Sequence, residues 1–244
     1  MPSLQSESVS AESNRVHALD NVVWTALTTR QACIAECCDQ ARRFLPDVST
    51  IAAFLEPSDR GWDSLARLVH EGQTVNLALR EPYQPRPGWK LVLATPMPQM
   101  VFQGNISQLS QRSNPDADII ELGSNDVSDM VELTALTRPG PFSKRTHELG
   151  RYIGIRDGKL IAMAGERLKV PGYTEVSAVC THPDHTGRGY ARLLMTAIMR
   201  QICERGEIPF LHVREDNVHA IALYERMGFV RCVLSHLAVL RRQS

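Results

Sequence analysis

The C-terminal half of this 244-residue chain predicts an α/β (α+β) fold. Two observations carry the prediction. Apolar, β-prone runs alternate with stretches of helical periodicity, in the order β-α-β-β-β-α-β-α-β. A glycine-spaced loop at 186–191 joins one of these runs directly to a helical stretch. We therefore expect a domain in which strands and helices are mixed along the chain.

The boundaries of these elements follow from their turn and cap signals. Asn125 or Asp126 can cap the first predicted helix, which ends before a Pro–Gly–Pro segment. An Asp–Gly turn joins the next two strands into a hairpin, and glycines follow the last two helices. The predicted elements are strand 119–122, helix 127–136, strands 152–156, 160–168 and 173–180, helix 189–205, strand 210–213, helix 217–227 and strand 230–239.

The N-terminal half gives weaker signals and contains no recognisable catalytic motif. Helical periodicity and short apolar runs are both present. Pro96 and Pro98 are expected to break the segment that follows the last of these runs. The predicted helices are 24–44 and 62–70, and the predicted strands are 51–55, 75–79 and 91–94.

A polar segment at 107–118 is the expected boundary between two domains. It separates an N-terminal α/β domain of residues 15–110 from a C-terminal domain of residues 119–244. Residues 1–14 are rich in Ser and Glu and lack the apolar core of a signal peptide. We expect them to form a disordered tail.

The composition argues against several classes of function. Lys and Arg number 27, as do Asp and Glu, and this balance is unlike that of a nucleic-acid binder or a membrane-surface binder. The six cysteines lack the spacing of a secreted disulfide framework, which favours reduced thiols and a cytoplasmic protein. Cys33, Cys37 and Cys38 are close in sequence, but no His/Cys pair follows at zinc spacing, so we expect no metal.

The most informative segment is the predicted strand, loop and helix from Val179 to Leu194. Gly187 and Gly189 allow backbone N–H groups to point toward a ligand, and the N-terminus of the following helix adds partial positive charge. The segment therefore predicts an anion site, and we expect a ligand that carries a pyrophosphate. The alternative is that the glycines merely form a turn.

Two motifs in this half resemble the GCN5-related N-acetyltransferase (GNAT) superfamily. Residues 186–191 (Thr-Gly-Arg-Gly-Tyr-Ala) resemble its Arg/Gln-x-x-Gly-x-Gly/Ala pattern, and Asn217 followed by residues 220–229 resembles a later motif. Residues 173–229 are most similar to the FR47-like branch, which is related to glycine N-acyltransferases. The resemblance implies a GNAT fold: a mixed sheet with flanking helices, whose fourth and fifth strands splay apart. The N-terminal half is then a degenerate GNAT-like domain, a lid or a dimer surface.

The resemblance implies acetyl-CoA as co-substrate. It implies that the pantetheine arm binds the main chain of the fourth strand and that the phosphates bind the glycine loop. Thr186 stands where the family usually has Arg or Gln, and Arg188 or Arg192 can supply the lost donor. The alternative role for Asn217 is a helix cap. The expected cofactor contacts are Val179, Cys180, Thr181, Thr186, Gly187, Arg188, Gly189, Tyr190, Ala191, Arg192, Asn217 and Tyr224.

Tyr224 and Glu175 are the catalytic residues that the resemblance implies. Tyr224 would protonate the departing thiolate, and its alternative role is a core tyrosine. Glu175, four residues before Val179, corresponds to the general base of histone-type relatives; its alternatives are a solvated charge or a salt bridge to Arg167. An ordinary carboxylate, with a pKa of about 4.3, is a poor base for an ammonium near 10, so burial or a water relay would be needed. Cys180 as a nucleophile lacks a recognisable His partner.

The resemblance therefore implies an acetyl-CoA-dependent N-acetyltransferase. The acetyl group would pass directly to a primary amine of a small molecule or peptide in a ternary complex. One alternative is an FR47-like acyltransferase that uses another acyl-CoA or an amino-acid acceptor. Another is a non-catalytic CoA-binding protein, which the departure at Thr186 favours. We expect no nucleic-acid or membrane partner and a monomer or homodimer. Residues 138–150, and the N-terminal half with them, are expected to select the acceptor.

Overall fold

The computed structural model describes residues 17–109 and 118–243, so the expected tail at 1–14 lies outside the described residues. None of the helices in these two ranges is long and apolar enough to cross a membrane. The α-helices are α1 (Val22–Thr28), α2 (Asp59–Leu68), α3 (Val127–Thr137), α4 (Tyr190–Glu204) and α5 (Val218–Arg226). The strands are β1 (Ala35–Cys38), β2 (Ala41–Phe44), β3 (Ile51–Phe54), β4 (Thr74–Leu79), β5 (Trp89–Phe102), β6 (Ile120–Leu122), β7 (Tyr152–Asp157), β8 (Lys159–Val170), β9 (Tyr173–Thr181), β10 (Ile208–His212) and β11 (Phe229–Arg242).

All of these strands belong to one mixed sheet, in the spatial order β1-β2-β3-β4-β11-β5-β10-β9-β8-β7-β6. In the C-terminal half, the elements from β6 to β11 follow the predicted order, which confirms the predicted fold class. Local signals explain their boundaries. Asn217 Oδ1 accepts a hydrogen bond from Ala220 N at 3.2 Å and begins α5, and β7 and β8 form the predicted antiparallel hairpin.

The helix predicted at 24–44 is wrong. Helix α1 ends at Thr28, and residues 35–44 form the antiparallel pair β1–β2. Asp39 has a φ of +45°, which turns the chain sharply between the two strands. Glu36 lies opposite Arg43, whose Nε donates to Glu36 Oε2 at 2.6 Å. This cross-strand ion pair and the turn outweigh the helical periodicity of the sequence.

The strand predicted at 91–94 continues through both prolines, so the expected break at Pro96 and Pro98 is also wrong. β5 spans Trp89–Phe102 and pairs with β11 along its whole length. The carbonyl oxygens of Pro96 and Pro98 face the β10 side, where they accept from Glu215 N at 3.0 Å and Val213 N at 3.1 Å. The missing N–H groups of the prolines face that same side, beyond the last residue of β10. The prolines therefore remove no hydrogen bond from the β5–β11 ladder.

Strands from both halves of the sequence interleave in the sheet. β5 lies between β10 and β11, and β4 pairs with β11. Helices α4 and α5 pack on one face over β9 to β11, while α1 packs on the opposite face against Leu168, Val170 and Phe210. Helix α2 covers β4 and β11 through Trp62 and Leu65. The division into two domains stays a prediction, because residues 110–117 at its boundary are outside the described part of the chain.

The parallel strands β9 and β10 separate after a short region of pairing. Tyr173 to Glu175 pair with Ile208 to Phe210, and no pairing between the two strands follows in the described residues. β9 continues to Thr181, whereas β10 pairs with β5 through His212 and Gln99. This is the splay between the fourth and fifth strands of the predicted GNAT core. It opens a wedge in the sheet that places the candidate site.

Candidate functional site

A cavity of about 640 Å³ lies in the wedge between β9 and β10. The free edge of β9 and the end of β10 form two of its walls, and α5 contributes Asn217 and Tyr224. The N-terminal half closes the cavity through α1 and β4. The residues that line these walls include Val23, Asn76, Leu77, Ala78, residues 137–141, Arg167, residues 176–181 and residues 211–214. A volume of this size is typical of small-ligand pockets.

The free edge of β9 contains the first group of predicted cofactor contacts. Val179, Cys180 and Thr181 all line the cavity. Ala178 beside them has a φ of +53°, at a shift in the register between β8 and β9. Such a conformation costs a non-glycine residue about 1–2 kcal/mol and is often retained at binding sites. Thr181 Oγ1 is buried and has no hydrogen-bond partner in the described residues.

Cys180 is a thiol held in its neutral form. Burial raises its pKa to about 11, although a hydrogen bond from Thr137 and the main chain of Met163 oppose this effect. A thiol with this pKa is almost wholly protonated at neutral pH. The burial of this thiol therefore argues against Cys180 as a nucleophile.

The glycine loop lies beyond the end of β9, directly before the 15-residue helix α4. Gly187 and Gly189 have φ values of +77° and +82°, and a Cβ added to either would meet no atom within 4 Å. The loop therefore needs glycine for its conformation and leaves an open surface at the helix N-terminus. No hydrogen bond to the N–H groups of residues 187–189 is present in the described part of the chain. This arrangement can bind an anion through main-chain donors.

The side chains around the loop differ in their burial and in their hydrogen-bond partners. Thr186 Oγ1 donates to Pro183 O at 3.0 Å, so its hydroxyl closes the preceding turn. Tyr190 is buried in the core below α4, which leaves its main chain as the available group. Arg192 Nε is buried and has no partner among the described residues, whereas Arg188 is exposed. The residues of the loop, 186–192, do not line the cavity itself.

Tyr224 lies on α5 at the cavity wall. Its ring packs against Phe229 with centroids 6.1 Å apart. Burial raises the pKa of Tyr224 to about 12, so the hydroxyl keeps its proton at neutral pH. Within the described residues, no group hydrogen-bonds to Tyr224 Oη. Asn217 also lies at this wall. It caps α5, which is one of the two roles predicted for it.

Glu175 lies where β9 and β10 begin to separate, and it is completely buried. Its carboxylate accepts hydrogen bonds from Arg167 Nε at 2.7 Å, Arg167 Nη2 at 2.6 Å, His212 Nδ1 at 2.6 Å and Leu168 N at 3.3 Å. Burial by itself would raise the pKa of Glu175, but the charge and hydrogen bonds of Arg167, with those of His212, lower it to about 2. The salt bridge to Arg167 is thus present. A carboxylate with so low a pKa is a weak base.

His212 and Gln99 also belong to the group of residues around Glu175, although no sequence motif indicated either of them. His212 Nε2 lies 3.2 Å from Gln99 Nε2, and these two residues are paired between β10 and β5. We call Arg167, Glu175, His212 and Gln99 the apex cluster, because they occupy the narrow end of the wedge. The sequence gives one local signal for His212. It lies two residues after Phe210, so the two side chains share one face of β10.

Comparisons with known proteins agree with this geometry. A family model described as FR47-like protein matches residues 152–236. The structure of a GNAT-family protein from Novosphingobium aromaticivorans is 34% identical, with a TM-score of 0.85 over 94% of this chain and 100% of that chain. The N-alpha-acetyltransferase RimI of Mycobacterium tuberculosis is 38% identical over 84 residues, which are 33% of this chain and 52% of RimI. The mycothiol acetyltransferase of Rhodococcus opacus is 34% identical over 87 residues, which are 35% of this chain and 28% of that protein.

These two curated relatives are therefore matched over only about half of the length of one and less than a third of the other. The family model's range, residues 152–236, contains β9, the glycine loop and α5. The similarity to the Novosphingobium protein, in contrast, extends over nearly all of this chain, including the N-terminal half that closes the cavity.

Proposed function

Because the chain belongs to the GCN5-related N-acetyltransferase family, we propose that it is an acetyl-CoA-dependent N-acetyltransferase. The acetyl group passes directly to a primary amine of a small molecule or peptide. The observation that carries the proposal is the free edge of β9 in the wedge, beside an open glycine loop at the N-terminus of α4. One element suits the pantetheine arm and the other suits the phosphates.

The residues present fit acetyl-CoA. Gly187 and Gly189 leave open space at the helix N-terminus, where main-chain N–H groups can hold the pyrophosphate. Arg192 Nε, buried without a partner in the described residues, is a further donor for a phosphate oxygen. Thr181 Oγ1 and the free main chain of β9 are available to an amide-bearing arm that binds like an added strand. When bound, acetyl-CoA supplies the activated acetyl thioester.

Tyr224 is the residue that we propose at the leaving group. Tyr224 lines the cavity, and its protonated hydroxyl has no hydrogen-bond partner in the described residues, so it can donate a hydrogen bond to the sulfur. A pKa of about 12 is well above the roughly 8.5 of a thiol, which disfavours complete proton transfer from Tyr224. Stabilisation of the developing thiolate by this hydrogen bond is therefore its main contribution.

For Glu175 we propose a positioning role in place of general base. Its carboxylate is buried in bonds to Arg167 and His212, and its lowered pKa opposes protonation near neutral pH. Arg167 and Arg138 place positive charge at the cavity. Positive charge disfavours the ammonium form of an acceptor, which lowers the amine's pKa and so favours the neutral nucleophile. Proton removal through solvent then replaces a dedicated carboxylate base.

Calorimetric titration of the purified protein tests the proposal. We expect acetyl-CoA to bind with micromolar affinity and NADH, as a control dinucleotide, not to bind. A thiol-release assay with a panel of primary amines then separates the enzyme from a non-catalytic CoA-binding protein. Absence of acetyl-CoA binding contradicts the proposal, and tight binding without thiol release from any amine supports the non-catalytic alternative.

A further inference from the structure

We propose that the acceptor amine carries a carboxylate, and that Arg167 binds this carboxylate and thereby selects the acceptor. The inference rests on the proposed acetyl transfer, since it concerns the acceptor of that reaction. It starts from the orientation of one guanidinium group. Arg167 uses Nε and Nη2 for Glu175, and Nη1 has no acceptor among the described residues. Arg167 lines the cavity and its side chain is 15% exposed.

The guanidinium is held ready for a ligand. Two hydrogen bonds of 2.7 and 2.6 Å to Glu175 fix its plane, so a ligand does not have to order the side chain. Gly140 lies on the other side, where an added Cβ would be 3.8 Å from Nη1. The absence of a side chain at Gly140 leaves room next to the free nitrogen. A carboxylate is the group that a fixed, desolvated guanidinium binds best.

The charges around the cavity favour an anionic acceptor. Arg138, Arg167 and Arg214 line the cavity, and Asp216 is the acidic residue among the lining side chains. Asp216 is already bound by Arg214, whose Nε donates to Oδ1 at 3.0 Å. Arg138 has no ion pair in the described residues, and its φ of +50° is strained for a non-glycine residue. Even with Glu175 counted behind the wall, positive charge exceeds negative charge.

The cofactor does not supply a negative charge that would balance these arginines. Its phosphates are assigned to the glycine loop, whose residues 186–192 do not line the cavity. The pantetheine arm and the acetyl thioester are uncharged. Arg167 lies instead on the side of the wedge that α1, β4 and residues 137–141 close. An anion bound there belongs to the acceptor, and a cavity volume of about 640 Å³ is typical of sites for small molecules.

The first test uses the amino acids glycine, β-alanine and γ-aminobutyrate, each beside its amide, because the spacing between amine and carboxylate is not fixed. The Nε–H signal of Arg167 is followed by ¹H–¹⁵N NMR in the protein saturated with CoA, and is assigned by its loss in Arg167→Lys. We expect at least one amino acid to shift this signal while its matched amide does not. No shift with any of the three acids, or equal shifts with acid and amide, overturns the inference.

The second test is steady-state acetyl transfer to the same pairs. We expect the best amino acid to have a KM at least about tenfold below that of its amide, as a charge-assisted hydrogen bond predicts. Arg167→Lys keeps the charge beside Glu175 but loses the fork, and it should raise the KM of the acid about tenfold with little change in kcat. Arg151→Lys, at an exposed ion pair with Glu121 away from the cavity, is the matched control and should leave the KM unchanged.

The two proposals fail in different ways. If acetyl-CoA does not bind in the calorimeter, the proposed function fails. If acetyl-CoA binds but the acids and amides are equal in the NMR titration, the acceptor inference fails and the proposed function stands. If Arg167→Lys and Arg151→Lys change the KM of the acid equally, a general effect of replacing arginine with lysine explains the result and the selective role of Arg167 is wrong.

Discussion

The two ends of the site are built from different kinds of group. The glycine loop depends on main-chain conformation, because Gly187 and Gly189 have positive φ values and no neighbour at the position of a Cβ. The apex cluster depends on buried polar and charged side chains, since Glu175 has no exposed surface and the His212 side chain is 3% exposed. The loop should therefore tolerate changes of side chain but not of backbone conformation. The apex should show the opposite sensitivity.

The largest expected effect is the loss of a buried charge partner at the apex. Arg167→Met leaves the Glu175 carboxylate buried without its main counter-charge, and we expect the free energy of unfolding to fall by about 3–5 kcal/mol. Denaturant unfolding measures the change. The double variant Arg167→Met/Glu175→Gln removes both charges and should recover part of the loss. Equal stability of the two variants would contradict the view that an unpaired charge causes the effect.

The pH dependence of stability isolates the contribution of Glu175. Its pKa is about 2 in the folded protein and about 4.3 in the unfolded chain, so the unfolded chain takes up protons first as the pH falls. The stabilisation is complete above about pH 4.3 and is lost as the pH falls toward 2. From these values it amounts to about 3 kcal/mol.

The matched measurement is denaturant unfolding of the wild type and of Glu175→Gln from neutral pH to the acid limit of folding. The stability advantage of the wild type should shrink steadily as the pH falls below about 4.3. A difference that stays constant over this range would show that ionisation of Glu175 does not contribute, and the apex would then resemble the loop in depending on packing and conformation alone.

The contrast between the loop and the apex cluster also explains which features could be predicted from the sequence. The glycine loop, the Asn217 cap and the β7–β8 hairpin depend on residues close together in the chain, and their patterns indicated the fold of the C-terminal half. The apex cluster joins Arg167, Glu175, His212 and Gln99 from four strands. Its assembly depends on the register that places Glu175 opposite Phe210, and no local pattern specifies that register.

The errors in the N-terminal half have the same origin. The helical periodicity at 24–44 was overridden by a turn at Asp39 and by the cross-strand pair of Glu36 and Arg43. The prolines at 96 and 98 fit within β5 because their missing N–H groups face away from β11. In both cases the deciding partner is a neighbouring strand. The sequence of one segment could therefore not reveal the outcome.

Tyr224 lies between the two ends and tests the chemistry with less effect on the fold. Tyr224→Phe removes the hydroxyl but keeps the ring that packs on Phe229. We expect kcat for acetyl transfer to fall by about 100-fold, the size of effect found when one hydrogen-bond donor to a developing negative charge is removed, with little change in acetyl-CoA affinity. Steady-state kinetics and calorimetry measure the two quantities. An unchanged kcat would assign Tyr224 to the core alone.

The smallest effect on stability, and the sharpest test of the loop, comes from a pair of glycines. Gly189→Ala and Gly172→Ala change residues with φ values of +82° and +78°, and neither new Cβ meets an atom within 4 Å. Each should cost about 1–2 kcal/mol of stability. Only Gly189→Ala should also weaken acetyl-CoA binding, by about tenfold or more, because it shifts the N–H groups at the start of α4. Gly172 turns the chain between β8 and β9 away from the loop, so equal loss of affinity in both variants would show that general destabilisation, and not the phosphate cradle, limits binding.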